Sequence, residues 1–448
     1  MLPTTEYALL SRIATAQAHG RAPSLVAGVV RDGELVWSGA RGFVDGSIPD
    51  NDTQYRIGSI TKSLVAVLVM RLRDEGKLAL NDPVSRHLGD SPFGHLTIAQ
   101  LLSHTGGVTS ESPGSWWERS PGGGWDQLAE SLTPEELKLR AGQQFHYSNV
   151  GYGILGELVK RLRGKEWYEA LKAEVLEPLG MMRTVPHPDD HAAQGWAVHP
   201  FADVLHPEPA PDAGAMAPAG QLWSTVNDLS RLTALVAGHT AGVLSADTVA
   251  EMRAAATVED GEQWQSGYGL GLQLVRRDGH AYAGHTGSMP GFIACTMVDS
   301  ATGTGALAMS NTTAGVPILG VTLDLIALAD QHEPPLPQPW QPADIDTTLL
   351  ELTGLWHWGP TPHHLRVMPN GWLYLAPVGD GGRRSRFRPT GQDEWVGLDG
   401  YYAGETLRVG RDADGAPKYL NLATFIFTRT PYDPQAPVPG GVDPKGWR

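Results

Sequence analysis

One cysteine, Cys295, stands in the whole chain, so no disulfide within the chain is available to hold the fold. It sits in the apolar stretch Phe292–Val298, which marks a buried structural thiol rather than a reactive one. Long apolar runs are missing as well. Nothing approaches the roughly 20 residues that span a bilayer, so no membrane partner is expected. Basic residues are the minority, 34 Lys and Arg against 49 Asp and Glu, for a formal charge of −15. A chain of that sign has no electrostatic pull on phosphate backbones, and no basic run overrides it, so no nucleic acid partner is expected either. The segment from Met1 to Tyr7 lacks a basic start, an apolar centre and a small-residue cleavage site, which gives the expectation of a cytoplasmic protein. A metal-hydrolase signature is also absent. His187, His191, His199 and His206 cluster, but Pro186 and Pro188 oppose a helix there and no His-Glu-x-x-His follows, so neither metal nor cofactor is expected.

What is present suits a globular protein of more than one domain: 448 residues, 41% hydrophobic and 19% charged. Glycine (54) and proline (34) are plentiful enough to build many irregular loops. A short helix is expected over Glu6–Gln17. Ser24–Val30 and Glu34–Ser38 flank Asp32-Gly33, a strong hairpin signal. From Ser59 to Glu75 the apolar residues Leu64, Val65, Leu68, Val69 and Leu72 recur at helical spacing, and Gly76 closes the run. Helices are expected over Val150–Leu162 and Trp167–Val175, after Ser224-Thr225, and over Ile318–Ala329. Strands are expected over Tyr268–Val275, His280–His285, Phe292–Val298 and Ala306–Ser310. Strands at both ends with helices between predict a mixed α/β domain over residues 1–330, built on an antiparallel sheet. Proline-rich residues 331–343 read as a linker. Residues 344–448 then carry short aromatic-rich segments, from Leu355-Trp356-His357-Trp358 to Phe425-Ile426-Phe427, which predict a small all-β barrel.

Three short motifs carry chemistry. Ser59-Ile60-Thr61-Lys62 opens the long apolar helix, and residues i and i+3 share a helix face, so the Lys62 amine can reach the Ser59 hydroxyl. Serine needs such a base, and lysine serves only if burial or a nearby positive field lowers its pKa. Tyr147-Ser148-Asn149 enters a helix, with a phenol able to relay a proton and an amide able to hold a substrate carbonyl. His285-Thr286-Gly287 ends a strand, where glycine lets a substrate backbone approach.

In this order the three motifs resemble the marks of the serine β-lactamase and penicillin-binding protein superfamily: Ser-x-x-Lys, Tyr-x-Asn and Lys-Thr-Gly. Glu75–Val84, Leu101–Gly107, Pro178–Met181 and Tyr268–Gly271 are similarly typical, and the likeness spans roughly residues 20–330. It implies a β-lactamase/transpeptidase-like domain, in which an antiparallel sheet is flanked by helices beside an all-helical region. By position it implies Ser59 as acylated nucleophile, Lys62 as its proton partner and Tyr147 as general base or relay. Asn149, His285, Thr286 and Gly287 would bind substrate, and the N–H groups of Ser59 and Ser288 would form the oxyanion hole.

Two departures shape the expected activity. His285 stands where penicillin-recognising members carry a permanently charged lysine, which resembles the esterase and D-aminopeptidase branch. Tyr-x-Asn points to the class C side of the superfamily, and the β domain resembles lipocalin-like barrels attached to D-aminopeptidase relatives. The expected function is a serine hydrolase acting on a small ester, amide or short peptide. The rivals are a true β-lactamase or D,D-carboxypeptidase, and a catalytically silent binding module of the same fold.

Overall fold

The computed structural model describes residues 1–431 apart from Glu262, Pro337, Gln338 and Asp380. The chain divides into two compact units, Met1–Leu336 and Pro337–Arg448. The first is built on an eight-stranded antiparallel sheet of β1 (Ser24–Arg31), β2 (Glu34–Gly42), β3 (Thr257–Val258), β4 (Ser266–Tyr268), β5 (Gln273–Arg277), β6 (His280–Met289), β7 (Phe292–Asp299) and β8 (Gly305–Ser310). Its order is β2-β1-β8-β7-β6-β5-β4-β3. The main helices are α1 (Pro3–His19), α2 (Ile60–Asp74), α3 (Asn149–Arg163), α4 (Val226–Ala237) and α5 (Ile318–His332).

Alternation along the central strands decides the layers. Leu25, Ala27 and Val29 of β1 join Cys295 and Met297 of β7 in a core with Leu9 and Ile13 of α1 and Leu325 and Ile326 of α5. Val26 and Val30 point the other way, into a larger core with α2 and with Leu229 and Leu232 of α4. With both faces covered, the strands are apolar throughout rather than alternating in sequence. The expected strand over Tyr268–Val275 divides in two: Gly269 N–H donates to the Leu272 carbonyl (2.8 Å) and closes a turn between β4 and β5. Two apolar runs separated by such a turn read as one strand by periodicity alone.

The second unit closes into a barrel of eight strands, β9 (Gly354–Trp358), β10 (Thr361–Val367), β11 (Leu373–Pro377), β12 (Ser385–Gly391), β13 (Glu394–Gly397), β14 (Thr406–Arg411), β15 (Pro417–Leu422) and β16 (Phe425–Thr428). Two of these, β14 and β15, carry no sequence expectation, because they are poor in aromatics. Only Leu407, Leu420 and Leu422 of the pair reach the core formed with Trp356, Leu365, Phe387, Trp395 and Phe427. Trp356 is fully buried and donates its indole N–H to the Leu352 carbonyl at 2.7 Å, whereas Trp358 is exposed. Among the described residues, no helix is long and apolar enough to cross a membrane.

Candidate active site

Ser59 is set by backbone before any side chain acts. Ile57 N–H donates to the Leu222 carbonyl (2.9 Å), tying the chain into a two-stranded ribbon of Tyr55–Arg56 with Trp223–Ser224. Gly58 then turns through φ +51, and Ser59 becomes the N-cap of α2. The approach of β6 is close: a Cβ on Gly58 would lie 2.5 Å from Ser288 N, and one on Gly287 would lie 1.9 Å from the Ile57 carbonyl oxygen. Both positions must be glycine for the nucleophile turn and the strand end to meet. The Ser59 N–H donates to no backbone acceptor among the described residues.

Helix α2 is buried almost all round, from Ile60 to Met70, and this drags Lys62 into the core. The Lys62 side chain is fully buried, with Nζ 2.9 Å from Ser59 Oγ and 2.6 Å from the Ala219 carbonyl. Burial lowers the amine from its ordinary 10.5 to about 7, against the opposing pull of Glu111 and Glu118. Near neutrality such an amine has a lone pair for the Ser59 proton while still donating to Ala219. Burial alone supplies the shift; no positive side chain adds to it.

Nζ also lies 5.0 Å from the Tyr147 ring centroid. Burial pushes the Tyr147 phenol above its ordinary value, its interaction with the Ser59 side chain pulling the other way. His104 holds this tyrosine. Its ring stacks on Tyr147 at 4.2 Å, its Nδ1 accepts the Ser148 N–H (3.1 Å), and its carbonyl accepts the His146 N–H (2.8 Å). Ser148 in turn caps α3 by accepting the Gly151 N–H at 3.0 Å.

Strand β6 pairs with β5 only as far as Gly284, opposite Gln273. Beyond it, His285–Met289 pairs with β7 alone and presents a free edge beside Ser59. Thr286 is held by Gln273 Oε1, which accepts its N–H and hydroxyl at 3.2 and 3.0 Å. His285 turns inward. Its Nδ1–H donates to the Thr286 carbonyl, and its Nε2 accepts the Tyr268 hydroxyl at 2.7 Å. Burial, helped by the nearby Lys62 charge, lowers it to about 3, so the ring is neutral. The expectation that His285 touches substrate meets a geometry in which both ring nitrogens are already used, because the ring fills the core beneath the strand.

The family model described as Beta-lactamase matches residues 10–331. This chain belongs to the beta-lactamase family. That assignment accounts for the fold of the first unit. Residues 345–429 match a second model, described as a domain of unknown function (DUF7586). "Beta-lactamase-like protein 2" of Dictyostelium discoideum is 29% identical over 262 residues, which is 53% of this chain and 47% of that protein; the match thus spans about half of that relative's length. The octameric penicillin-binding protein homologue from Pyrococcus abyssi superposes with a TM-score of 0.65 at 23% identity, over 94% of this chain and 99% of that one. A D-stereospecific amidohydrolase from Streptomyces sp. superposes at 0.58 and 26% identity, over 72% of this chain and 97% of that one.

In this member of the beta-lactamase family the surroundings of Ser59 include residues that sequence reasoning missed. Glu111 accepts the Asn149 Nδ2 on both carboxylate oxygens at 2.9 Å and the Trp117 indole N–H at 2.6 Å. Asn149 was expected to offer its amide to a substrate carbonyl. Because a carboxylate only accepts, Nδ2 must face Glu111, and the buried Oδ1 has no hydrogen-bond partner among the described residues. The group Asn149 has to spare is an acceptor. Glu118 stands in the same field, its carboxyl pushed up by burial. Nothing in the local sequence around Glu111 or Glu118 ties them to the site, since Asn149 lies 38 positions from Glu111 and Lys62 precedes both on a different element. The four histidines read as a cluster do not converge: His191 meets Asp50 (2.9 Å), His187 meets Asp212 (3.5 Å), and His199 meets His206 (5.7 Å between rings).

Proposed function

We propose that this protein is a serine hydrolase working through an acyl-enzyme on Ser59, and that its substrates are small amides, esters or short peptides bearing a cationic amine. The observation that carries the reading is the 2.9 Å contact between Ser59 Oγ and a fully buried Lys62 amine that titrates near 7. Neutral Lys62 takes the Ser59 proton as Oγ attacks the carbonyl carbon. The carbonyl electron pair moves onto oxygen, where the N–H groups of Ser59 and Ser288 receive it. Collapse expels the alcohol or amine, protonated through Tyr147. A phenol held above its ordinary value keeps its proton at neutral pH, which suits a relay better than a base. Water then cleaves the Ser59 ester by the same route. His285, neutral and bonded inward, acts as a support for Thr286 and the β6 edge.

The charge of the site selects among substrates. A β-lactam or a peptide C-terminus brings a carboxylate, and here it would meet the field of Glu111 and Glu118, with His285 neutral and buried rather than supplying a cation. An ammonium or N–H group would meet the Glu111 carboxylate and the unpartnered Asn149 Oδ1. The amidohydrolase likeness supports the same side. Labelling with a fluorophosphonate should give one adduct, absent in Ser59→Ala; a wild-type protein that no acylating probe labels sinks the hydrolase reading. Amino-acid p-nitroanilides with a free amine should be cleaved faster than their N-acetyl counterparts, and nitrocefin should be slow or inert. Glu111→Gln should lower kcat/KM for the free-amine substrates by roughly tenfold or more and leave the acetylated ones little changed. Nitrocefin turnover rivalling the amides and esters overturns the substrate assignment.

A further inference from the structure

The barrel of the second unit has an opening at one end. Trp356, Leu365, Phe387, Trp395 and Leu420 fill its interior, as expected for eight strands. At the end carrying the β9–β10, β11–β12 and β15–β16 turns, a cavity of about 410 Å³ remains, walled by Trp358, His363, Val378, Arg383, Tyr402 and Phe425. The chain enters and leaves the barrel at the opposite end, where Arg429 donates to the Thr353 carbonyl at 2.7 Å.

The walls are aromatic and the lip is apolar. Trp358 meets Phe425 edge to face at 5.6 Å, and His363 meets Phe427 in the same way at 5.1 Å. Trp358, Val378 and Tyr401 leave 46%, 53% and 58% of their surfaces in contact with solvent. Trp358 and Val378 wall the cavity and Tyr401 stands beside its Phe425 wall, a grouping that marks a binding surface more than scattered exposure does. The lip also carries a cation. Arg383 sits over Tyr401, its guanidinium carbon 3.6 Å from the ring centroid, interacts with the Tyr402 side chain, and forms no ion pair among the described residues. Arg386, Arg408 and Arg411 of the barrel are paired with Asp399, Glu394 and Asp393, whereas Arg366, Arg384 and Arg388, like Arg383, form no ion pair among the described residues; Arg383 differs from these in lining the cavity. In a chain of net charge −15, a guanidinium that stands at an aromatic cavity without an ion pair among the described residues has the planar fork that fits a carboxylate. Inside, His363 turns Nδ1 to the Thr361 carbonyl (3.3 Å), which leaves its Nε2 without a hydrogen bond among the described residues.

We propose that this end of the barrel is a binding site for a small monocarboxylate with a flat apolar body, the body lying in the cavity against Trp358 and Phe425 and the carboxylate on Arg383. The cavity sits at the small end of the range for ligand sites, which limits the body to about the size of an aryl-alkyl acid. The site stands apart from the acyl-transfer reading and does not depend on it.

Calorimetric titration of the full chain with 4-phenylbutyrate, and with the neutral 4-phenylbutyramide, tests this. Saturable one-to-one binding of the acid is expected, about tenfold or more tighter than the amide. Arg383→Met should erase that preference by weakening the acid alone, and Arg383→Lys should retain part of it. Trp358→Ala should weaken both ligands. Ser59→Ala should change neither affinity, which separates this site from the cleft at Ser59. Ester turnover should be unaltered in Arg383→Met, and an unchanged melting temperature excludes a folding defect at this exposed lip. Equal affinity for acid and amide, unchanged binding in Arg383→Met and Trp358→Ala, binding lost in Ser59→Ala, or no saturable binding of the acid at millimolar concentration would each overturn the proposal.

Discussion

Lys62 shows how one residue joins the fold to its chemistry. A lysine three positions after a serine is common at helix starts; what distinguishes this one is that α2 is apolar on every side. Each fully buried Leu or Val of that helix contributes about 1.5–3 kcal/mol, enough together to carry the cost of one buried amine. The cost is pH-dependent, with a definite sign. Below about 7, Lys62 is charged in both native and unfolded states, and its burial penalty is felt in full. Between about 7 and its ordinary 10.5 the native amine is neutral while the unfolded one is charged, so stability rises with pH across that window. Lys62→Met should accordingly lose roughly 10²–10⁴-fold in acylation rate, while raising the melting temperature most below pH 7. The wild-type acylation rate should climb through pH 7 as the amine loses its proton. A rate flat from pH 6 to 8, or a methionine variant that melts lower than wild type at pH 6, would remove Lys62 as the base.

At the scale of elements, the site is a junction between the turn before α2 and the unpaired edge of β6. Neither segment is strained in itself; the constraint is their separation, which leaves no room for a Cβ on Gly58 or Gly287. The motif His285-Thr286-Gly287 therefore reads partly as packing chemistry: glycine was expected to admit a substrate backbone. The backbone it admits includes Ile57 of the protein itself. Gly287→Ala should push the strand edge away from Ser59 at a cost of about 1–3 kcal/mol. By displacing the Ser288 N–H it should also reduce kcat by roughly 10²-fold or more, with KM changed less. Thermal unfolding with steady-state kinetics on one preparation checks both, and an alanine variant of wild-type kcat would mean that the Ser288 N–H is not used.

Over the whole molecule, the interior of the first unit keeps two imidazoles neutral and buried, His104 and His285, both lowered chiefly by burial. In the unfolded chain each protonates near its ordinary 6.5, whereas native His285 resists protonation down to about 3. Stability present above 6.5 is thus lost as pH falls toward 3, as the unfolded state takes up protons that the native state refuses. Melting temperatures measured from pH 7 to 4 should fall steadily, and His285→Gln should flatten that slope by about one proton; an unchanged slope would contradict the burial assigned to this ring. None of this is visible along the chain. What the sequence by itself determined was whatever rests on local spacing: the α2 helix with Ser59 and Lys62 on one face, the β1–β2 hairpin at Asp32-Gly33, the apolar central strands and the all-β character of the second unit. Tertiary structure alone decided the state of the groups. Lys62 owes its lowered pKa to a core that includes Ala219, 157 positions away, and Asn149 owes its free acceptor to Glu111, 38 positions away. Periodicity reports which face of an element is apolar, but desolvation and charge depend on what other parts of the chain bring against that face.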